Sequence, residues 1–186
     1  MKLQIAVIGG HRNISPQAEK AAGEIGAKIA AAGHAPLTGA APGVGAIASA
    51  EARKRGGLVV GISPEGKRHE KGYAIDSTGV AVMVKTGAGY KGRNVTLVRS
   101  ADAVVMIGGK IGTLNEATIA VGEVVPLVTI TGTGGATEMM AGILEKLDPS
   151  FKYFRAMATT KGAVEELEKM VAEKESAGEG NGCSNC

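Results

Sequence analysis

The chain contains 186 residues with a formal net charge of +3, and only five of the residues are aromatic. Its length suits a single domain with a sizeable core, which has to be built from aliphatic side chains because aromatic ones are scarce. The charge is too small to indicate nucleic-acid binding, and no apolar run approaches the roughly 18 residues of a membrane-spanning helix. The amino terminus enters a predicted strand at once, so we expect no signal peptide and a cytoplasmic location.

The first half of the chain alternates short apolar runs with helical patterns. Residues 3–8 form a predicted strand that ends at Gly9-Gly10. A helix begins at Ser15-Pro16, where serine is a favourable cap and proline suits the first turn. Further strands are predicted at residues 36–38, 58–62 and 80–84.

Two polar segments of this half are candidates for ligand contacts. His11 and Arg12 follow the first strand at the carboxyl edge of the sheet, where doubly wound proteins bind ligands. The loop at 63–78 carries the basic run Lys67-Arg68-His69, which could close over an anion. In both segments, solvated loop residues are the plainer interpretation.

A glycine-rich loop at residues 39–45 joins the second strand to a helix predicted at 46–54. Such a loop leaves backbone N–H groups facing one point, at the positive end of the helix dipole. The alternative is that glycine only permits a tight turn. The candidate phosphate-binding residues here are Gly39, Gly43 and Gly45.

The stretch at residues 101–123 repeats this pattern and is the one around which the chain is organised. An apolar run at 103–107 predicts a buried parallel strand, and GGKIG then leads into a helix that opens near Thr113. A structural turn is one competing interpretation, and a T-x-x-E capping box between Thr113 and Glu116 is another. The candidate anion-binding residues are Gly108, Gly109, Lys110, Gly112 and Thr113.

The last third of the chain continues the alternation, with strands predicted at 125–130 and 156–159 and helices at 136–147 and 163–175. Alternating strands and helices predict one doubly wound α/β domain over residues 1–175, with a mainly parallel sheet of about seven strands. Residues 176–186 form a polar, glycine-rich segment that we expect to be a flexible tail.

The tail contains the only cysteines of the chain, Cys183 and Cys186. A closed zinc site needs about four ligands, and the three histidines are scattered along the sequence. We therefore predict no metal site within one chain. The alternatives are a metal site shared between subunits and the handling of a soft metal by the two thiols.

The segment GGKIGTLNE resembles the PGGxGTxxE motif of a Rossmann-like family once described as lysine decarboxylases. This family includes the "lonely guy" phosphoribohydrolases and, more distantly, molybdenum cofactor carrier proteins and the DNA-processing protein A fold. Arg93-Asn94-x-x-Leu97 stands where the hydrolases carry Arg-Lys-x-x-Met, 23 positions before Glu116. Two residues depart from the pattern, because Lys110 replaces a glycine and Asn94 replaces the lysine.

The resemblance to the hydrolases implies a nucleoside 5′-monophosphate phosphoribohydrolase that needs no cofactor. In this hypothesis Glu116 stabilises the positive charge that builds on the ribose as the N-glycosidic bond breaks. Arg93 positions the ligand and holds Glu116 ionised. These two residues are the candidate catalytic residues.

The resemblance to the carriers implies instead a non-catalytic protein that binds a phosphorylated cofactor, such as molybdenum cofactor, as cargo. The replacements at Lys110 and Asn94 favour this alternative. Both hypotheses predict a phosphorylated small molecule as ligand. Because relatives are dimeric or larger, we also expect a homo-oligomer that buries the Ala-rich helices at 46–52 and 117–121. Single-stranded DNA binding ranks last, since base-stacking surfaces need aromatic residues.

Overall fold

The structure is a computed structural model that describes residues 2–67 and 71–178. Within these residues the chain forms one α/β domain. The strands are β1 (Gln4–Gly9), β2 (Ala35–Thr38), β3 (Val60–Ser63), β4 (Val82–Lys85), β5 (Ala103–Ile107), β6 (Leu127–Ile130) and β7 (Phe154–Met157). The helices are α1 (Pro16–Ala31), α2 (Val44–Lys54), α3 (Gly89–Arg99), α4 (Ile111–Gly122), α5 (Met140–Leu147) and α6 (Ala163–Ser176), and a 3-10 helix (Gly135–Met139) precedes α5.

The strands pair in the order β4-β3-β2-β1-β5-β6-β7, and every pairing is parallel. The predicted doubly wound sheet is therefore confirmed, and it is parallel throughout. The chain builds the sheet outward from β1 in one direction and then returns to start the other half at β5. β1 and β5 consequently flank the topological switch point, where open α/β sheets bind ligands.

The central strands are apolar because both of their faces are covered by helices. Alternate residues of β5 supply two separate cores, with Val105 on one face and Met106 on the other. Helices α1, α2 and α6 pack on the first face, while α3, α4, α5 and the 3-10 helix pack on the second. Small residues let the helices approach closely, since a Cβ atom at Gly26 of α1 would lie 2.1 Å from the Ala48 oxygen of α2.

Several element boundaries differ from the predicted ones, in interior strands such as β3 and β6 as well as in the two edge strands. β4 begins at Val82 because residues 77–80 form a turn closed by the hydrogen bond from the Val80 N–H to the Ser77 oxygen (3.0 Å). β7 begins at Phe154, two residues before the predicted start. Both edge strands are partly exposed, and β7, with the sequence FRAM, lacks the continuous apolar run that marks a central strand.

The long loop between β3 and β4 is attached to the domain by several hydrogen bonds and an ion pair among the described residues. Glu65 is buried and pairs with Lys85 at 3.3 Å. The Asp76 N–H donates to the Ala40 oxygen, and the Ala74 N–H donates to the Tyr90 hydroxyl, both at 2.9 Å. Of the predicted basic run, Lys67 is exposed, whereas Arg68 and His69 lie outside the described residues.

Residues 2–67 and 71–178 contain no helix with both the length and the apolar character needed to cross a membrane. The same ranges contain no group of three or more His, Cys, Asp or Glu side chains placed to hold a metal ion. Cys183 and Cys186 lie outside the described residues.

Candidate functional site

The glycine turns after β1 and β5 lie side by side at the switch point. The Gly10 N–H donates to the Ile107 oxygen at 3.4 Å. A Cβ atom at Gly10 would lie 3.7 Å from the Gly109 nitrogen, so the two turns are in van der Waals contact. The turns form the floor of a crevice at the carboxyl edge of the sheet, where the sequence predicted a ligand site.

The loop at residues 39–45 forms one wall of this crevice, and its glycines have different roles. A Cβ atom at Gly39 would lie 1.5 Å from Nη1 of Arg93, so glycine is required to accommodate the guanidinium group. Gly43 has a φ of 86°, and a Cβ atom there would lie 2.4 Å from the Gly10 oxygen. Gly45 has no such constraint, since its nearest neighbour would be Thr38 Cβ at 3.4 Å.

Helix α4 forms the other wall, and its first turn is open. Lys110 is the N-cap residue, and no side chain caps the helix. Lys110, Ile111 and Gly112 are exposed, and a Cβ atom at Gly112 would meet no atom within 4 Å. The unpaired N–H groups of a first helical turn and the positive end of the dipole therefore face solvent beside a lysine.

The capping box between Thr113 and Glu116 is wrong. The helix begins two residues earlier than its pattern indicated, so Thr113 is the third helical residue and Glu116 the sixth. The Thr113 side chain is buried against Gly109, where an added Cβ atom would lie 2.2 Å from its Oγ1. Glu116 points inward, towards α3, and is unavailable as a cap.

Helix α2 also starts without a side-chain cap, at Gly43. Its start is tied to the crevice floor because the Val44 N–H donates to the Gly10 oxygen at 2.9 Å. His11 and Arg12 are exposed beside it, and the Cα of His11 would lie 2.7 Å from a Cβ atom at Gly43. Two uncapped helix starts and several basic side chains thus border one crevice, an arrangement that attracts anions.

A third loop, after β6, fixes the glycine turn of β5. Oγ1 of Thr133 accepts from the Gly108 N–H at 2.9 Å, and Oγ1 of Thr137 donates to the Gly108 oxygen at 2.9 Å. The Ala136 N–H donates to the Gly109 oxygen at 2.9 Å. The Gly108 N–H is consequently satisfied within the protein, and the open donors are those of the first turn of α4.

Sequence reasoning did not identify Thr133 and Thr137. The available signal was TGTGG at residues 131–135, a third glycine-rich loop that follows a predicted strand at the same sheet edge. A threonine hydroxyl in such a loop can form hydrogen bonds with water or with the backbone. The sequence pattern alone therefore does not identify Thr133 and Thr137 as structural contacts.

Arg93 and Glu116 meet beneath the crevice, between α3 and α4. Nη1 of Arg93 lies 3.8 Å from Oε1 of Glu116, and each side chain is only 9% exposed. Burial raises the pKa of Glu116 to about 7, against the opposing effects of Arg93 and Lys91. Burial also lowers the pKa of Arg93, while Glu116 and Tyr90 act in the opposite direction. Near neutral pH Glu116 is therefore partly protonated, because desolvation outweighs the attraction of the guanidinium group.

Asn94 joins the same buried cluster. With its amide nitrogen directed at α4, it donates to Oε1 of Glu116 at 3.0 Å and to the Tyr90 oxygen at 2.9 Å. The opposite orientation would leave its oxygen facing only acceptors. The amide also contacts the Asn115 side chain at 2.9 Å. Asn94 therefore links the two helices through hydrogen bonds from an uncharged amide, at the position where the hydrolases carry a lysine.

A family model for the SLOG cluster4 family matches residues 2–172. The chain belongs to the SLOG cluster4 family. An uncharacterized protein from Archaeoglobus fulgidus is 36% identical over 124 residues, which cover 66% of this chain and 77% of that protein.

The solved structures that resemble this SLOG cluster4 chain at more than 25% identity include TM1055 and a molybdenum cofactor binding protein. The structural genomics target TM1055 has a TM-score of 0.80 and 31% identity, covering 91% of this chain and 99% of that one. The molybdenum cofactor binding protein from the phototrophic bacterium Rippkaea orientalis has a TM-score of 0.78 and 26% identity, covering 92% and 98%. DNA processing protein A from Helicobacter pylori has a TM-score of 0.65 and 19% identity, covering 90% of this chain and 81% of that one. At this identity the likeness shows the fold alone.

In this SLOG cluster4 protein the predicted site residues separate into two layers. The outer layer faces solvent and contains Lys110 and Gly112. The inner layer is buried and contains Arg93, Glu116 and Thr113. The remaining predicted residues are glycines of the backbone turns, namely Gly39, which is adjacent to Arg93, Gly109, which is adjacent to Thr113, and Gly43, Gly45 and Gly108.

Proposed function

We propose that this protein binds a phosphorylated small molecule in the crevice between residues 39–45 and 108–113, and that it carries molybdenum cofactor or a related phosphorylated pterin as cargo. The observation behind the proposal is the pair of uncapped helix starts, α2 at Gly43 and α4 at Lys110, on the two sides of the turn at Gly10. First-turn N–H groups and aligned dipoles favour a phosphate group at this place.

The likeness to the molybdenum cofactor binding protein of Rippkaea orientalis supports cofactor cargo as the ligand class. The layering of the site supports carriage over chemistry. The outer layer would hold a phosphate group without any contribution from the buried side chain of Glu116. Lys110 adds a positive charge at the mouth, and its long side chain is exposed.

Native mass spectrometry of the freshly purified protein tests the identity of the cargo. We expect a bound mass that corresponds to a phosphorylated pterin, with or without molybdenum. A bound molecule that contains no phosphate would contradict the proposal.

Lys110→Ala tests the anion site. We expect the variant to bind neopterin 3′-phosphate about 10-fold or more weakly than the wild type, because a charge-assisted hydrogen bond contributes about 1.5–3 kcal/mol. Binding of neopterin without the phosphate should be unchanged. Lys146→Ala, on α5, is the matched control, since it removes an exposed lysine away from the crevice. An equal loss for both ligands would exclude a phosphate-binding role for Lys110.

Hydrolysis of a nucleoside 5′-monophosphate is the second candidate function, and the contact between Arg93 and Glu116 favours it. The two side chains lie directly below Gly39, so a ribose held by the glycine loops would be near a carboxylate. A carboxylate there would stabilise the positive charge of the transition state. Incubation with adenosine 5′-monophosphate and chromatography of free adenine tests this. Turnover that disappears in Glu116→Gln would support hydrolysis, and an absence of turnover in the wild type would exclude it for this substrate.

A further inference from the structure

The chain has three tyrosines, and two of them form a pair beside the crevice. The rings of Tyr73 and Tyr90 are arranged edge to face, with centroids 5.2 Å apart and an interplanar angle of 74°. The third, Tyr153, is 2% exposed and belongs to the core, whereas Tyr90 is 41% exposed. Tyr73 is half-buried, and neither residue of the pair belongs to the two hydrophobic cores.

Tyr90 is directed towards the crevice by its place on α3. It precedes Arg93 by three residues, so both side chains lie on one face of the helix. The guanidinium group of Arg93 occupies the space beside Gly39 in the crevice wall. Tyr90 also acts on the pKa of Arg93, which it raises against the effect of burial. Tyr90 therefore lies one helical turn from the guanidinium group that contacts Gly39 of the loop at residues 39–45.

The segment that carries Tyr73 reaches the same wall. The Ala74 N–H donates to the Tyr90 hydroxyl, and the Asp76 N–H donates to the Ala40 oxygen, both at 2.9 Å. Ala40 has a φ of 49°, a conformation that is unfavourable for a residue with a side chain and is concentrated at functional sites. Tyr90 stays 41% exposed although its hydroxyl accepts from the Ala74 N–H and its ring contacts Tyr73.

We propose that Tyr73 and Tyr90 form a subsite for a planar heteroaromatic ring, so that the ligand carries such a ring together with its phosphate group. Two rings set edge to face make a corner in which a flat ligand stacks on one ring and abuts the other. The phosphate group would lie at the starts of α2 and α4, and the ring would lie at the end of the crevice near α3. This inference rests on the proposed function and adds the second recognition element.

The test compares three probes by calorimetry. Neopterin 3′-phosphate has both the ring and the phosphate, glycerol 3-phosphate has only the phosphate, and neopterin has only the ring. For Tyr90→Leu we expect binding of neopterin 3′-phosphate to weaken at least about 5-fold, as expected for loss of a stacking partner, while glycerol 3-phosphate binds as it does to the wild type.

Two further variants separate stacking from attachment of the loop. Tyr90→Phe keeps the ring but loses the hydroxyl that accepts from Ala74, so its affinity for neopterin 3′-phosphate should stay within about 2-fold of the wild type. Val95→Ala is the matched control, because Val95 lies on the same helix and is also 41% exposed. It should bind all three probes normally.

The outcomes distinguish the two proposals. If Tyr90→Leu weakens both phosphate probes equally, or neither, the ring subsite is wrong and the phosphate site stands. If the wild type binds glycerol 3-phosphate but not neopterin 3′-phosphate, the ring subsite is likewise overturned. If neopterin binds as tightly as its phosphate, the proposed function fails.

Discussion

Replacing Glu116 with glutamine should stabilise the protein at alkaline pH and leave it almost unchanged near pH 4.5. Burial raises the pKa of Glu116 from 4.5 to about 7, which corresponds to about 3 kcal/mol at about 1.4 kcal/mol per pKa unit. The folded protein holds this proton more tightly than the unfolded chain. Its free energy of unfolding therefore falls as the pH rises from 4.5 to beyond 7.

Glutamine is neutral at every pH and has the shape of the protonated acid, so the variant lacks this loss of stability. Between pH 5 and pH 8.5, the free energy of unfolding of Glu116→Gln minus that of the wild type should increase by about 2–3 kcal/mol. Urea denaturation at the two pH values measures both proteins, and effects of all other titrating groups cancel in the difference.

Glu145→Gln is the control, because Glu145 is an exposed residue on α5. Its stability difference from the wild type should not change by more than a few tenths of a kcal/mol over the same range. If the difference between Glu116→Gln and the wild type is also constant with pH, Glu116 is ionised in the folded protein throughout. The account of a partly protonated buried carboxyl would then be refuted.

Three further predictions concern stability and assembly. Gly39→Ala should destabilise the protein by about 1–3 kcal/mol, since its Cβ would overlap the Arg93 guanidinium group. Gly45→Ala, in the first turn of α2, should instead be neutral or stabilising by up to about 1 kcal/mol. Equal stabilities of the two variants in urea denaturation would contradict this. Thr133→Val should cost about 1–3 kcal/mol because it leaves a buried N–H unsatisfied. Thr129→Val should be neutral or stabilising, because the buried Thr129 hydroxyl has no hydrogen-bond partner within residues 2–67 and 71–178. Equal losses would show that the Thr133 hydrogen bonds contribute nothing specific. The homo-oligomer expected from the sequence stays a prediction, and light scattering that finds a monomer at micromolar concentration would refute it.

The sheet and the glycine-rich loops at its carboxyl edge could be predicted because their signals are local. The fully apolar run of β5 ends in glycines and is followed at once by a helix, which marks a buried parallel strand and its turn without any knowledge of the rest. The loop at residues 39–45 has the same pattern. Parallel topology then brings these loops to one edge of the sheet.

What could not be predicted depends on contacts between distant segments. The start of α4 is set by packing of Thr113 against Gly109, and a T-x-x-E pattern at residues 113–116 is indistinguishable from a capping box until that packing is known. Whether Glu116 is ionised depends on its burial by α3, which the spacing from Arg93 does not reveal. The tyrosine pair joins residues 17 positions apart through a long loop, and no periodicity marks it.

The measurement that tests the central claim most directly is a crystal structure of the protein with neopterin 3′-phosphate. We expect the phosphate group within hydrogen-bond distance of the Gly112 N–H in the first turn of α4, or of the Gly45 N–H in the first turn of α2. The Lys110 side chain should be directed at it. A phosphate group bound anywhere other than the crevice between residues 39–45 and 108–113 would contradict it.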